Sequence, residues 1–234
     1  MKILSIDTSS EACSASLNID GELITRFELA PQKHSSLILS MCDDLLAQAE
    51  TKLGQLDAVA FGQGPGSFTG LRIAAGVIQG MAYGADLPVI KISTLAALAQ
   101  QIAKDAKKAQ IIAAIDARMQ EIYWCIYTVT DNGFVLPSAD EAISSPHDAP
   151  FIDILKENTP VYAIGSGWDE FDDVLAEKQK ISHLTKIFKK RLTSAEEIGI
   201  LATNQLKLGN VVSAADAIPV YLRNNVAKKS SKQI

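Results

Sequence analysis

One short pattern occurs twice in this chain of 234 residues and limits the folds open to it. An apolar run that ends on an aspartate spans Ile3 to Asp7, and Ile111 to Asp116 repeats it. An Asp-Gly pair at 20–21 and an Asn-Gly pair at 132–133 follow these runs, each between segments of strand-like composition. Such dipeptides are strong hairpin signals. A repeated unit of three strands followed by helices predicts a duplicated α/β fold.

Apolar runs and helical periodicity alternate along the rest of the chain. The predicted strands are 2–7, 12–19, 22–29, 56–62, 87–92, 111–116, 122–129 and 161–164, and the predicted helices are 35–49, 71–85, about 94–107 and 195–208. The expected helix caps are Ser35 or Ser36, Ser67 or Thr69, Ser93 and Ser194. Residues 137–150 are expected to be mostly loop. We expect two lobes, 1–107 and 108–234, with the last helix and the tail packed back on the first lobe.

Charge and composition exclude several classes of protein. Lys and Arg number 22 and Asp and Glu 27, and this net charge of −5 argues against a protein that coats nucleic acid or anionic membranes. Hydrophobic residues make up 47%, which is too many for a disordered chain. The three cysteines form no C-x-x-C pair, and no apolar run reaches the roughly 18 residues of a spanning helix. We expect a cytoplasmic protein without a membrane segment.

Basic residues are concentrated in two places near the end of the chain. They are Lys186, Lys189, Lys190 and Arg191 in the first cluster, and Arg223, Lys228, Lys229 and Lys232 after the last acidic residue. Solvated surface is the favoured interpretation of both clusters. Contact with an acidic protein or with RNA is the alternative.

A glycine-rich segment joins a predicted strand to a predicted helix between Gly62 and Gly70. The N-terminal N–H groups of such a helix attract anions, so Gly64, Gly66 and Ser67 are candidates for nucleotide binding. The segment lacks the lysine of a Walker loop, and the third glycine of the dinucleotide fingerprint is replaced by Thr69. A tight connection that packs closely against its neighbours is an equally good interpretation.

The first strand ends in a carboxylate followed by two hydroxyls, Asp7, Thr8 and Ser9. Such a group can hold a metal-bound nucleotide phosphate. The counterpart in the second copy, Asp116-Ala-Arg118, lacks the hydroxyls, and a nucleotide clamped between two loops needs both. The favoured alternative is that both aspartates serve turns or contacts between lobes. Gly165-Ser166-Gly167 is a weaker signal for the close approach of a flat ring.

The helix after the glycine-rich segment carries Arg72 as its sole charged residue between Gly70 and Ala85. A helix that is apolar all round is buried on all sides, and its own lobe covers one face. The other face then needs a partner protein, unless the helix is simply internal. The predicted partner or dimer interface on this helix and the 35–49 helix consists of Leu37, Ile38, Met41, Leu45, Arg72, Ile73, Val77, Ile78 and Met81. A buried Arg72 would need a carboxylate from the partner.

Three strings together resemble the bacterial TsaB (YeaZ) family. They are Ile3-Leu-Ser-Ile-Asp-Thr-Ser9, His34-Ser-Ser-Leu37 and Gly62-Gln-Gly-Pro-Gly-Ser-Phe-Thr-Gly-Leu-Arg-Ile-Ala74, and Ala114-Ile-Asp-Ala-Arg118 with Glu121-Ile-Tyr123 extends the match. The resemblance implies the duplicated actin-like fold of sugar kinases and Hsp70. It also implies a role in threonylcarbamoyl modification of the tRNA adenosine beside the anticodon.

The resemblance further implies a non-catalytic subunit that pairs with a TsaD-type catalytic subunit and a TsaE-type ATPase. It implies a homodimer when the chain is alone, tRNA contact only through the complex, and room for ATP or ADP at the interface with the catalytic subunit. No cofactor and no metal are expected, because His34 is followed by Ile38 where the catalytic paralogue has its H-x-x-x-H pair. The alternatives are an active ATP-dependent kinase-like enzyme, suggested by Asp7 and Thr8, and a glycoprotease-like peptidase.

Overall fold

The computed structural model describes residues 1–178, 181 and 183–223. The basic residues Lys228, Lys229 and Lys232 lie outside the described residues. So does the part of the predicted tail beyond Arg223.

The first lobe has a five-stranded sheet with the strand order β3-β2-β1-β4-β5. Its elements are β1 (Lys2–Asp7), β2 (Ala12–Ile19), β3 (Glu22–Leu29), α1 (His34–Gln48), β4 (Ala58–Gly64), α2 (Phe68–Ala85), β5 (Val89–Ser93) and α3 (Thr94–Gln100). The first three strands are antiparallel neighbours, and β4 and β5 continue the sheet in parallel with β1. The central strands are almost fully buried, because helices cover both faces of the sheet.

The second lobe repeats this plan. Its elements are β6 (Gln110–Asp116), β7 (Ile122–Val129), β8 (Val135–Pro137), β9 (Ala142–Ser144), α4 (Phe151–Ile154), β10 (Val161–Ile164), α5 (Ser166–Asp173), β11 (Leu184–Phe188) and α6 (Ala195–Lys207). The strand order among the described residues is β11-β10-β6-β7-β8, with β9 also paired to β7. Counted from its β8 edge, the second sheet has the same strand order and strand directions as the first sheet counted from its β3 edge. The predicted duplicated α/β fold is therefore confirmed.

Helix α6 packs on the sheet of the first lobe although it follows the second lobe in the chain. The Ser5 hydroxyl donates to the Ala195 carbonyl at 2.7 Å, and the Asn18 amide donates to the Thr203 hydroxyl at 3.2 Å. Side chains of β1 alternate between the two faces of the sheet. Ile3 therefore packs in the cluster with α3 and α6, and Leu4 in the cluster with α1 and α2.

Three of the predicted caps are confirmed and one is wrong. Ser67, Ser93 and Ser194 each accept a hydrogen bond from the backbone of the first helical turn, at 3.2–3.3 Å. Helix α1, however, begins at His34 and has no side-chain cap. The Ser36 hydroxyl donates to the Lys33 carbonyl instead.

Several predicted element bounds are also corrected. Helix α3 ends at Gln100 rather than near 107. The chain then continues in tight turns, in one of which the Ala103 N–H donates to the Gln100 carbonyl at 3.2 Å. These turns bury Ile102 and Ala106 while leading the chain into β6. The segment 137–150 is mostly loop, as expected, and it also contains β9 and the end of β8. Strands of three residues are too short to show a periodic pattern.

Helices α4 and α5 and strand β11 were also not predicted. No helix among the described residues is long and apolar enough to cross a membrane.

Candidate functional site

A cleft of about 770 Å³ separates the two lobes. Its walls come from the β1–β2 turn, the β4–α2 loop, the β6–β7 turn, the start of α5 and the C-terminal end of the described chain. The first two of these elements, with the strand ends that lead into them, carry the six residues that the sequence predicts for nucleotide binding. The next two carry the counterparts in the second copy, the turn at 116–118 and the glycines at 165–167, so the duplicated topology brings the equivalent segments of both copies to one cleft.

Asp7 lies behind the wall of this cleft, with no exposed surface. Its carboxylate accepts hydrogen bonds from the Ser9 hydroxyl at 3.1 Å, the Ser9 N–H at 3.3 Å and the Thr193 hydroxyl. Burial raises the pKa of Asp7, and the hydrogen bonds from Thr193 and Ser9 oppose that rise. A Cβ at Gly62 would lie 2.6 Å from the Asp7 Oδ1 atom, so the strand beside it has room only for glycine.

The glycines of the β4–α2 loop allow two backbones to touch. A Cβ at Gly66 would lie 2.6 Å from the Ser9 carbonyl oxygen, and one at Gly70 would lie 1.8 Å from the Thr8 carbonyl oxygen. Hydrogen bonds join the same segments, since Ser67 N–H donates to the Ser9 carbonyl at 2.8 Å. This geometry favours the interpretation of the loop as a tight connection that packs against its neighbours.

The six residues predicted to bind a nucleotide divide into two groups. Ser9, Gly66 and Ser67 line the cleft. Asp7, Thr8 and Gly64 are buried behind it.

The Thr8 hydroxyl donates to the Gly70 carbonyl at 2.7 Å, and the Asp7 carboxylate is bonded within the chain. In this arrangement neither the Asp7 carboxylate nor the Thr8 hydroxyl faces the cleft, whereas Ser9, Gly66 and Ser67 line it, so nucleotide binding by these residues stays a prediction.

The equivalent turn of the second lobe is closed by an ion pair. Asp116 accepts from the Arg118 backbone N–H at 2.8 Å, and its carboxylate lies 3.2 Å from the Arg118 guanidinium. Beside it, the glycines at 165 and 167 lie against β6, where a Cβ would come within 2.3 Å and 2.9 Å of Ala114 atoms. The signal at 165–167 therefore reflects packing within the chain rather than space for a flat ring.

The C-terminal strap, residues 217–223, crosses the mouth of the cleft from the first lobe to the second. At its start the Ala217 carbonyl accepts from the Gln79 side chain at 3.2 Å, and in its middle Val220 N–H donates to the Gln63 carbonyl at 2.8 Å. At its end Arg223 pairs with Glu121 and donates to the Ala117 carbonyl at 3.1 Å. This role of Arg223 is not predictable from the sequence, because Arg223 resembles the rest of the basic tail.

Four of the predicted interface residues are in the core instead. Ile38, Leu45 and Ile78 have no exposed surface, and Met41 is 8% exposed. They are part of the cluster between α1, α2 and the first sheet, so their predicted place at a partner surface is wrong. The apolar residues that recur at helical spacing form the face that is buried in the lobe. Apolar composition alone does not distinguish this inner face from an outer face that contacts a partner.

The outer face of α2 is exposed in the single chain, so the alternative of a simply internal helix is wrong, and a partner on this face stays a prediction. This face presents Arg72, Ile73, Gly76, Val77, Gly80, Met81, Tyr83 and Gly84. A Cβ added at any of the three glycines would meet no atom within 4 Å, and Tyr83 is 87% exposed. Leu37 of α1 is half-buried like Ile73, Val77 and Met81.

Arg72 is exposed and has partners within the chain. Its guanidinium lies 3.7 Å from the centre of the Phe68 ring, and its Nε atom donates to the Tyr221 hydroxyl at 3.1 Å. The predicted pairing of Arg72 with a carboxylate of a partner stays a prediction. A cation–π contact of this kind is favourable at an exposed site, so the side chain is held without a partner carboxylate.

Comparison with known proteins places this geometry in a family. The family model of TsaD, tRNA N6-adenosine threonylcarbamoyltransferase, matches residues 27–231. The tRNA threonylcarbamoyladenosine biosynthesis protein TsaB of Escherichia coli is 39% identical, over 98% of this chain and 97% of its own length. TsaB of Haemophilus influenzae is 37% identical, over 98% and 96%.

The solved structure of YeaZ from Pseudomonas aeruginosa superposes with a TM-score of 0.85 at 35% identity and covers 94% of this chain and 99% of its own. A second structure, described as similar to the peptidase YeaZ from Pseudomonas aeruginosa, gives a TM-score of 0.86 at 36% identity, over 95% and 99%. The chain therefore belongs to the TsaB (YeaZ) family of tRNA threonylcarbamoyladenosine biosynthesis proteins.

Proposed function

We propose that this chain is a non-catalytic partner subunit of a TsaD-type threonylcarbamoyltransferase, which modifies the tRNA adenosine beside the anticodon. Family membership supplies the pathway. The observation that carries the non-catalytic role is the burial of Asp7, whose carboxylate is bonded to Ser9 and Thr193 of its own chain. A group held in this way is part of the scaffold, since both of its oxygens already have donors.

The outer face of α2 is the surface proposed to receive the catalytic subunit. Gly76, Gly80 and Gly84 follow one another at intervals of four residues, so they form one stripe along the helix. Small residues let the backbone of a second helix approach closely. The half-buried side chains of Ile73, Val77 and Met81 flank the stripe and supply apolar area for the contact.

The remaining partner assignments follow from the same role. A TsaE-type ATPase joins the complex, tRNA is contacted only through it, and the chain alone forms a homodimer through the α2 face. No cofactor is required for folding or docking. ATP or ADP is proposed only at the interface with the catalytic subunit, where a second chain would supply the ligands. The cytoplasm is the compartment in which we propose that the complex acts.

Replacement of Gly80 by Gln tests the docking surface without harming the fold. Gln is about 0.5–1 kcal/mol better than Gly inside a helix, so the monomer is expected to become more stable while a bulky side chain blocks the stripe. The TsaD-family catalytic subunit of the same organism is titrated with each variant by isothermal calorimetry. Wild type binds, and Gly80→Gln binds at least tenfold more weakly.

Ser138→Gln is the matched control, because Ser138 is exposed on the second lobe. It binds as wild type does if the α2 face is the docking surface. Equal binding by Gly80→Gln and wild type would show that the catalytic subunit docks elsewhere.

An active kinase-like enzyme is the second candidate, and one observation favours it. Ser9, Gly66 and Ser67 line the cleft between lobes, where an enzyme of this fold would place a nucleotide. That candidate requires ATP turnover by the isolated chain, lost in Ser67→Ala. If the chain is a partner subunit, purified wild type shows no more ATP turnover than purified Ser67→Ala.

A further inference from the structure

Strand β3 forms one edge of the first sheet, and this edge is open. Among the described residues the backbone hydrogen bonds of β3 go only to β2, along all eight residues and without a bulge. At the other edge, β5, Val89 exchanges backbone hydrogen bonds with Val212 at 2.8 and 2.9 Å. The equivalent edge strand of the second lobe, β8, has three residues and ends at Pro137. Short strands, proline and bulges protect edges from pairing with another chain, and β3 has none of these features.

The pairing with β2 shows which backbone groups of β3 point outward. Directly after the strand, the Ala30 N–H donates to the Glu11 carbonyl at 3.0 Å. Hydrogen-bonded pairs alternate along an antiparallel ladder, so residues 24, 26 and 28 bond to β2, and residues 23, 25, 27 and 29 direct their N–H and C=O groups outward. The Arg26 guanidinium reaches the Thr25 carbonyl at 3.4 Å, as expected for a carbonyl on the open side. A further strand can therefore bond to the odd-numbered residues.

Two apolar side chains are exposed at the end of this strand. Phe27 is 49% exposed and Leu29 is 64% exposed. They share a face of the sheet with Thr25, whose hydroxyl donates to Glu196 in the first turn of α6 at 3.2 Å, and they lie beyond the start of that helix. The charged residues that line a pocket together with Phe27 and Leu29 are two acids and two bases, Glu11, Glu197, Lys190 and Arg191. Because these charges balance, this face favours an apolar occupant and neither sign of charge.

The opposite face of β3 carries charges of both signs at its open end. Arg26 and Glu28 are two residues apart, so both point to the side of α1, where the Arg26 guanidinium donates to the Gln48 side chain. Within the described part of the chain neither residue belongs to an ion pair. This spacing is self-complementary. If two β3 strands pair antiparallel about Phe27, Arg26 of each copy lies opposite Glu28 of the other.

Hydrogen bonding and charge favour this same register. With Phe27 at the centre, residues 25 and 29 of the two copies lie opposite each other, so the outward N–H and C=O groups of both strands meet. The two cross-strand pairs of Arg26 and Glu28 are stabilising, because opposite charges face each other. A pairing centred on Arg26 or on Glu28 would set that charge against its own copy, which is destabilising. Since these features match about a twofold axis, they favour a second copy over a partner of unrelated sequence.

We infer that two copies of the chain pair through their β3 edges, antiparallel and centred on Phe27, so that their two five-stranded sheets become one continuous sheet. This contact goes beyond the proposed function, because it needs no catalytic subunit. It also lies apart from the outer face of α2, since α2 packs over β1 and β4 whereas β3 contacts α1 and α6. A chain whose α2 face is covered by a catalytic subunit therefore keeps its β3 edge free.

Exchange of the two charges tests this contact on the full chain. The background is Gly80→Gln, which blocks the α2 face, and self-association is measured by sedimentation equilibrium up to about 1 mM, since a small contact is weak. Gly80→Gln is expected to dimerise. Added to it, Arg26→Glu or Glu28→Arg sets like charges opposite each other twice per dimer, and each change should weaken the dimer at least tenfold. Both changes together restore two opposite-charge pairs and should restore the dimer.

Glu22→Arg is the matched control, because it makes the same change of charge on the same strand outside the paired residues 25–29. It should dimerise as Gly80→Gln does. Urea midpoints within error of Gly80→Gln establish that each variant is folded.

Three outcomes overturn the inference. Gly80→Gln stays monomeric throughout, or the single charge variants dimerise as tightly as Gly80→Gln, or the double variant is as weak as the single ones. If the single variants instead weaken binding of the TsaD-family subunit in calorimetry and leave self-association unchanged, the occupant of the edge is that subunit and the inference is wrong. Self-association is measured without the catalytic subunit, so a failure of the proposed function leaves this result unaffected.

Discussion

At the scale of single residues, close backbone contacts explain the glycines of the β4–α2 loop. Gly66 and Gly70 each face a carbonyl oxygen of the β1–β2 turn. From the sequence, anion binding and packing against neighbours are equally good interpretations of these glycines. Residue spacing alone does not decide, because the neighbouring carbonyls lie some 60 positions earlier in the chain.

Substitution of two glycines in the same helix should have opposite effects. Gly70→Ala places a Cβ 1.8 Å from the Thr8 carbonyl oxygen and should lower the free energy of unfolding by at least about 3 kcal/mol. Gly76→Ala meets no atom within 4 Å and should raise it by about 0.5–1 kcal/mol. Urea denaturation of the two variants, at concentrations where the chain is monomeric, measures the difference. Similar stabilities for both would refute the packing account of the loop.

Glu197 on α6 should make the stability of the chain depend on pH. Burial raises the pKa of its carboxyl from 4.5 to about 7, and its Oε2 atom has no hydrogen-bond partner among the described residues. The folded chain therefore binds the proton more tightly than the unfolded chain. The resulting stabilisation is fully present below pH 4.5 and is lost as the pH rises to about 7.

The predicted loss between these limits is at most about 3.5 kcal/mol, because one pKa unit corresponds to about 1.4 kcal/mol. Urea denaturation at pH 5 and pH 8 measures it. Glu197→Gln should lack this component, whereas Glu50→Gln, at an exposed position, should keep it. An unchanged pH dependence in Glu197→Gln would assign the effect to another group.

At the scale of elements, Ser93 both caps a helix and joins the lobes. Its hydroxyl oxygen accepts from Ala96 N–H, and the hydroxyl donates to Glu141 of the second lobe, which Tyr127 also contacts at 3.1 Å. Burial raises the pKa of Glu141, and the hydrogen bonds from Ser93 and Tyr127 oppose that rise.

Ser93→Ala should therefore destabilise the chain more than Ser194→Ala, which removes the cap of α6. The loss of a cap costs about 1 kcal/mol, and the half-buried Glu141 carboxylate that loses a donor adds about 1 kcal/mol. Urea denaturation of the two variants compares them. Equal losses would mean that the contact with Glu141 contributes nothing to stability.

Elements with a clear period were the ones that the sequence could predict. Strands β1, β2 and β3 have their predicted bounds, because apolar runs and an Asp-Gly turn delimit them. Strands β8 and β9 were not predicted, since three residues show no period and their pairing with β7 is tertiary. In α1 and α2 the apolar period was found correctly, but its residues Ile38 and Ile78 are in the core rather than at a surface.

At the scale of the whole molecule, the C-terminal strap connects features that lie far apart in the sequence. It ties the β4–α2 loop through Val220 to the β6–β7 turn through Arg223. These contacts join residues more than 100 positions apart, so no local pattern announces them. The duplication was predictable because each copy repeats a local pattern, whereas the path of the strap depends on how the two copies face each other.

Arg223→Met should loosen the β6–β7 turn while leaving the sheets intact. Loss of the guanidinium removes the pair with Glu121 and the bond to the Ala117 carbonyl. Hydrogen exchange of amides 117–121 should become faster, and exchange in β1 and β4 should not change. Protection at 117–121 equal to that of wild type would show that the strap does not hold the turn.

The central claim is that the chain acts by docking a catalytic subunit, and reconstituted tRNA modification tests it most directly. The TsaD-family subunit, its donor substrate, the TsaE-type ATPase and tRNA are combined with wild type, Gly80→Gln or Ser138→Gln, and threonylcarbamoyladenosine is measured. The account predicts modification with wild type and Ser138→Gln, and loss of at least tenfold in initial rate with Gly80→Gln at limiting concentration. Modification that is as fast without the chain, or as fast with Gly80→Gln as with wild type, would contradict it.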